Sequence, residues 1–139
     1  MILSDTGFWL ALANPKDVYH EKSKRAAAEF ATEGFVTTWP VLTEAAYLIS
    51  KRLGGEAMLL FLKHVQAGSC AVHPPPEQGL QRAYSLMLKY RDLPMDLADA
   101  SLVMLAEELD EGRILSTDQR DFKAYRWKNT KPFHNLLLT

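Results

Sequence analysis

Four acidic side chains stand where acids are expensive to keep: Asp5, Glu44, Asp99 and Asp118. Leu3 lies close to Asp5, Ala45-Ala46 follow Glu44, Ala98 and Ala100 enclose Asp99, and Ile114-Leu115 precede Asp118. A carboxylate in apolar surroundings is costly unless it is paired or bound to a cation. Several together repel one another and raise their own pKa values, unless a divalent metal compensates. An all-oxygen set without His or Cys selects a hard cation, Mg²⁺ or Mn²⁺, over zinc. Such a set supports hydrolysis of a phosphate ester by a metal-activated water.

Each acid also has an ordinary structural reading. Asp5 suits the N-cap of a following helix, and Asp96 suits the N-cap of a later one, with Asp99 three residues on as in a capping box. Asp118 and Asp121 suit turns, and Glu44 could be a solvated helix residue. The joint placement of the four acids weighs more than any one of them. Other chemistries lack their residues. His20, His64, His73 and His134 are scattered without metal-ligand spacing, and no G-x-S-x-G elbow, P-loop or G-x-G-x-x-G occurs. A haloacid-dehalogenase-type phosphatase would want a second Asp two residues after Asp5, where Gly7 stands.

The elements that must position these acids alternate between strand and helix. Ile2-Leu3-Ser4 predicts a first strand ending at Asp5, and the apolar Phe8 to Ala13 a buried helical stretch ending at Asn14-Pro15. Val18 to Glu33 predicts a helix with Tyr19, Ala26, Ala27 and Phe30 on one face, stopped by Gly34. Phe35 to Thr38 is a short β-rich run, followed by a helix from Pro40 to about Arg52 and another from Glu56 to about Gln66. Cys70-Ala71-Val72 predicts a third strand. After Pro74-Pro75-Pro76 a helix is expected with Leu80, Tyr84, Met87 and Leu88 inward, Tyr84 and Met87 being read as core. Asp96 to Asp110 follows, with Ala98, Leu102, Leu105, Ala106 and Leu109 inward, and Ile114-Leu115 forms a fourth strand. Short apolar strands between helices imply a three-layer α/β/α fold around a mainly parallel sheet of four to five strands. In such sheets, sites gather at the carboxyl ends of the strands.

A length of 139 residues suits one domain spanning 1–139, able to bury roughly two-thirds of its unfolded surface without a disulfide or structural metal. The single cysteine, Cys70, reads as a buried small hydrophobe and favours a reducing compartment. No secretory signal is visible, and the apolar run Met58 to Leu62 is too short to span a bilayer, so a cytoplasmic protein is expected. The net charge of −1 does not announce a nucleic-acid binder. The local distribution differs. Arg120, Lys123, Arg126, Lys128 and Lys131 stand against one acid, Asp121, with Tyr125 and Trp127 interleaved. A basic face with aromatics could track a phosphate backbone, and a solvated C-terminal segment is the even alternative.

Leu3-Ser4-Asp5-Thr6-Gly7, Thr43-Glu44-Ala45, Asp96-Leu97-Ala98-Asp99-Ala100 and Ile114 through Phe122 occur in an order that resembles the PIN-domain family, particularly the VapC-like toxins of toxin–antitoxin pairs. The resemblance covers nearly the whole chain, and the ordered set is more specific than any one motif. It implies an acidic quartet of Asp5, Glu44, Asp99 and Asp118 holding one or two Mg²⁺ or Mn²⁺ ions, with Asp96 a further candidate ligand and Asp121 accessory. Thr6 and Ser116 would orient a ligand or bound water. Lys and Arg of the 120–131 segment (Arg120, Lys123, Arg126, Lys128) would position RNA, and Glu44, through water, would be a candidate base. The implied activity is metal-dependent cleavage of RNA by a homodimeric toxin held by an antitoxin protein. A non-catalytic RNA- or protein-binding module and a small-molecule phosphohydrolase are the competing readings.

Overall fold

The computed structural model describes residues 1–138. Its first strand, β1 (Ile2–Ser4), leads into α1 (Thr6–Ala13), and α2 (His20–Glu29) returns the chain to β2 (Phe35–Thr38). α3 (Trp39–Leu53) and α4 (Gly55–His64) form a helical hairpin that reaches β3 (Ala71–His73) through a wide turn, Val65–Ser69. α5 (Gly79–Lys89) and α6 (Leu97–Leu109) precede β4 (Arg113–Leu115). The chain ends with the one-turn α7 (Asp121–Ala124), a small antiparallel ladder of β5 (Arg126–Trp127) with β6 (Lys131–Pro132), and β7 (His134–Asn135).

Five strands form one sheet in the order β3-β2-β1-β4-β7, and every pairing is parallel. From β1 the chain steps outward through β2 to β3, then crosses back so that β4 lies on the other side of β1. The order therefore reverses between β1 and β4, the place where open parallel sheets take their ligands, at the strands' carboxyl ends. Successive strand residues face opposite layers, as the pleat requires. Ile2, Phe35 and Leu115 enter the core beneath α1, α3 and α4, whereas Leu3, Val36 and Ile114 enter the core beneath α5 and α6. This alternation makes the three-layer α/β/α fold.

Several local expectations are corrected. α2 begins only at His20, because Asp17 accepts the Tyr19 N–H at 2.8 Å and holds the preceding residues in a turn, and it ends at Glu29, with Phe30 as its C-cap. Gly34 (φ +80°) still turns the chain into β2. β3 is displaced by one residue to Ala71–His73, and Cys70 lies buried just before it, its thiol pushed up to about 12 by burial. The inward face of α5 is the largest error. Leu80 and Tyr84 are 80% and 68% exposed, and Leu88 is exposed too. Gly79, Ala83 and Leu86 face α6 instead, with Met87 half-buried. Small residues let the two helices approach: a Cβ on Gly79 would come within 3.1 Å of Met104 Cε. Leu109, at the frayed end of α6, is partly exposed rather than inward. The strand β7 and the β5–β6 ladder were not read from the sequence, since two-residue strands carry no periodicity.

Candidate active site

Asp5 ends β1 and caps α1, accepting the Thr6 N–H on Oδ1 at 2.8 Å. Its other oxygen, Oδ2, accepts the Ser116 hydroxyl at 2.8 Å. Capping and site geometry therefore coincide in one residue, which is only 9% exposed. Ser116 follows β4, and its Oγ also accepts the Asp118 N–H at 3.0 Å, so a single hydroxyl joins the ends of β1 and β4. Asp118 Oδ1 accepts the N–H groups of Arg120 and Asp121, both at 2.8 Å, which fixes the loop into α7. Glu44, on the second turn of α3, accepts the Thr6 hydroxyl at 2.6 Å. Thr6 thus binds two of the acids, one through its backbone and one through its side chain.

Asp99 lies in the first turn of α6, where Asp96 is the N-cap and accepts the Asp99 N–H at 2.8 Å. The reciprocal half of a capping box is not made: the Asp99 carboxylate instead accepts the Tyr125 hydroxyl at 2.8 Å. Asp121 begins α7, with one carboxylate oxygen buried and without a hydrogen-bond partner. Neighbouring Asp118 and burial both push its pKa upward, burial the more strongly.

Burial raises the Asp5 carboxyl to about 6, against the lowering effect of the Thr6 and Ser116 donors, and the charges of Glu44 and Asp118 add to the rise. Burial likewise pushes Asp99 up to about 8 despite the Tyr125 hydroxyl, with Asp96, Asp5 and Asp118 contributing repulsion. Acids from α3, α6 and the ends of β1 and β4 therefore act on one another at the carboxyl end of the sheet. Among the described residues no three His, Cys, Asp or Glu side chains stand close enough to enclose an ion by themselves. The donor chemistry nonetheless fits Mg²⁺ or Mn²⁺, which binds through one or two carboxylates and keeps several waters. Thr6 occupies one oxygen of Glu44 and Tyr125 one of Asp99, leaving the second of each for a ligand.

A raised carboxyl pKa works against the folded state as pH rises. The loss begins near pH 4, the unfolded value, and is complete near pH 6 for Asp5 and near pH 8 for Asp99. A cation that bound the ionised acids would reverse it. At one fixed concentration, about 100 times its dissociation constant at pH 8, Mn²⁺ should raise the melting temperature at pH 8 by about 5–10 °C and at pH 5, where protons compete for the acids, by far less. Thermal scans at the two pH values check this, and equal shifts at both would refute the coupling.

Two positioning residues were not among those read from the sequence. Tyr125 is fully buried, between Tyr90 and Phe122 with ring centroids at 5.1 and 5.2 Å. Asn135 of β7 accepts the Ser116 N–H (3.2 Å) and donates to the Ser116 carbonyl (2.9 Å), acting as a strand partner for the residue that joins Asp5 to Asp118. Neither carried a local signal for that role: Tyr125 stands among the charged Lys123 and Arg126, and Asn135 follows His134 at the edge of the apolar Leu136-Leu137-Leu138.

The basic segment does not form the expected face. Tyr125 and Trp127 are buried. The Arg126 guanidinium donates to the carbonyls of Lys123, Ala124 and Tyr125. Lys128 pairs with Asp110 at 2.8 Å and Lys131 with the same oxygen at 3.6 Å. Arg126, Lys128 and Lys131 are thus engaged by the protein itself, whereas Arg120 and Lys123 remain exposed.

Residues 2–128 match the family model described as PIN domain. Over 96 residues the chain is 29% identical to Ribonuclease VapC26 of Mycobacterium tuberculosis (strain ATCC 25618 / H37Rv), a match covering 69% of this chain and 71% of that protein. The crystal structure of Mycobacterium tuberculosis VapC20, a sarcin-ricin loop cleaving toxin, aligns with a TM-score of 0.79 at 21% identity. That alignment covers 95% of this chain and 100% of the other and speaks to the fold.

Proposed function

The chain belongs to the PIN domain family, and from that premise we propose that it is a Mg²⁺- or Mn²⁺-dependent endoribonuclease, the toxin of a toxin–antitoxin pair. One observation carries the reading. Acids from four separate elements repel one another at the point where the strand order reverses, which is where a parallel sheet offers a crevice to a ligand. Asp5, Asp99 and Asp118, with Glu44, would hold the ion, one or two of them directly and the others through its waters, and Asp96 stands at the margin as a cap. When bound, the ion lowers the pKa of a coordinated water and offsets charge on the phosphate.

The chain's own residues do the rest. Ser116 keeps Asp5 and the Asp118 loop in fixed relation, and Thr6 holds Glu44 toward Asp5. Glu44, half-buried, is the candidate to take the proton from the attacking water. The partners follow the same reading. An antitoxin segment would lie over the apolar groove bordered by Trp39, Leu80 and Leu97, beside the acids of α3 and α6. A second copy would cover the exposed Tyr84 and Leu88 further along α5, in a cytoplasmic homodimer. No helix of the described residues is long and apolar enough to cross a membrane.

The test is cleavage of single-stranded RNA by the purified chain. Activity should require Mg²⁺ or Mn²⁺, vanish with EDTA and return when the ion is restored. RNA bound but left intact would support the non-catalytic reading, and hydrolysis confined to phosphomonoesters would support the small-molecule one.

A further inference from the structure

A cavity of about 400 Å³ opens directly beside Asp118, walled by α2, α7 and the C-terminal strand region. Its size falls within the range of small-ligand clefts. Two lysines line it from elements far apart in sequence, Lys22 of α2 and Lys123 of α7. Both are exposed, and neither pairs with an acid among the described residues. Lys24, Lys128, Lys131, Arg82 and Arg113, by contrast, are paired with acids.

The cavity has more than charge. Tyr19 and Phe133 contribute aromatic walls, and the Phe133 ring is fixed edge-on to Phe122 at 5.2 Å. Gln119 Nε2 donates to the Tyr19 hydroxyl at 2.7 Å, tying the loop after β4 to the entrance of α2. That bond sets the Tyr19 ring and leaves the Gln119 carbonyl oxygen as an acceptor and the Tyr19 O–H as a donor. Cation, aromatic surface and hydrogen-bonding groups are what a nucleotide presents partners for.

We propose that this cavity is a nucleotide subsite: it takes the RNA residue next to the scissile phosphate, with the flanking phosphate at Lys22 and Lys123 and the base against Tyr19 and Phe133. The proposal rests on the ribonuclease reading and names where its substrate lies. It also accounts for RNA binding by a chain of net charge −1. The acids of the crevice repel a polyanion, so approach to them requires cations placed at their edge. It moves the phosphate contacts from the 120–131 segment as a whole to one of its lysines plus one from α2.

Steady-state cleavage of a fluorophore–quencher single-stranded RNA tests it, with the parent chain, Lys22→Ala/Lys123→Ala, Lys22→Arg/Lys123→Arg and, as a control, Lys16→Ala/Lys63→Ala. The alanine pair at the cavity should raise KM by about 10–50-fold with kcat within about twofold, and should reduce the salt dependence of log kcat/KM by at most about 1.4. The arginine pair should restore KM and the control pair should leave it unchanged. An abasic residue walked along the RNA should weaken KM by about tenfold at one position beside the cut. If the parent cleaves RNA and the cavity pair matches the control pair, the subsite is wrong and the nuclease reading stands. If the parent cleaves no RNA, both fall.

Discussion

Asp5→Asn should lower RNA cleavage by about 10²–10⁴-fold while melting at the same temperature as the parent at pH 8, or higher. The two halves of that result have separate causes. Asparagine is as good an N-cap as aspartate, so its carbonyl oxygen can keep the Thr6 N–H bond now made at 2.8 Å. The amide nitrogen can donate to Ser116 Oγ where the carboxylate now accepts from it, because a hydroxyl serves either role. Local geometry is therefore retained. What disappears is a buried charge whose carboxyl sits at about 6 rather than near 4. Between pH 4 and 6 the parent progressively loses stability to that ionisation, and the variant does not, so the variant gains relative stability across this window and keeps it above pH 6. On the proposed mechanism, activity depends on the opposite property, a negative oxygen facing a cation. Loss of cleavage with an unchanged or raised melting temperature separates chemistry from folding. Activity within about threefold of the parent would remove Asp5 from the metal-holding role.

Where sequence reading succeeded, one physical rule dominated the segment. Strands β1, β2 and β4 were legible because short apolar or β-branched runs flanked by polar punctuation leave few alternatives, and Asp5 and Asp118 were legible as the acids one and three residues beyond two of them. Glu44 and Asp99 each had an ordinary reading, as a solvated helix residue and a capping-box position, and stood out only through their order along the chain with Asp5 and Asp118. α5 was misread because Leu80, Tyr84 and Leu88 make as good an apolar stripe as the true inner face. The deciding factor was close approach to α6 through Gly79 and Ala83, a property of two helices together and invisible in either alone. The pairing of the basic segment was hidden for a similar reason. Composition counts lysines and arginines, but Asp110 lies at the far end of α6, and only the fold brings it to Lys128 and Lys131.

The site itself depends on contacts that no local pattern encodes. Ser116 reaches Asp5 across 111 residues and Thr6 reaches Glu44 across 38. These hydroxyls set the relative positions of the carboxylates, and Asn135 fixes Ser116 from the neighbouring strand. A site made of mutually repelling groups must be held by such donors, because the acids left to themselves would turn outward to water. The acids are legible as chemistry; their scaffold is legible only as structure.

Tyr125→Phe tests that scaffold at its most buried point, and it should weaken Mn²⁺ binding by about 10–100-fold at pH 8, the size expected when a group orienting a metal ligand is removed. The substitution keeps the ring, which packs edge-on against Tyr90 and Phe122 in the fully buried core. Only the hydroxyl that donates to Asp99 Oδ2 at 2.8 Å is lost. That hydroxyl is a dependable donor, because burial and the nearby Asp99 charge push its own pKa upward. Its bond to Asp99 is what opposes the rise caused by burial. Without it the Asp99 carboxyl moves further above 8, less of it is ionised at neutral pH, and the cation must compete with a proton. Mn²⁺ titration followed by electron paramagnetic resonance should therefore show a deficit at pH 7–8 that narrows as the pH is raised past 9. A packing defect would behave differently, lowering the melting temperature without restoring affinity at high pH. An Mn²⁺ affinity equal to the parent's across this range would mean that Asp99 does not hold the ion through the geometry that Tyr125 sets.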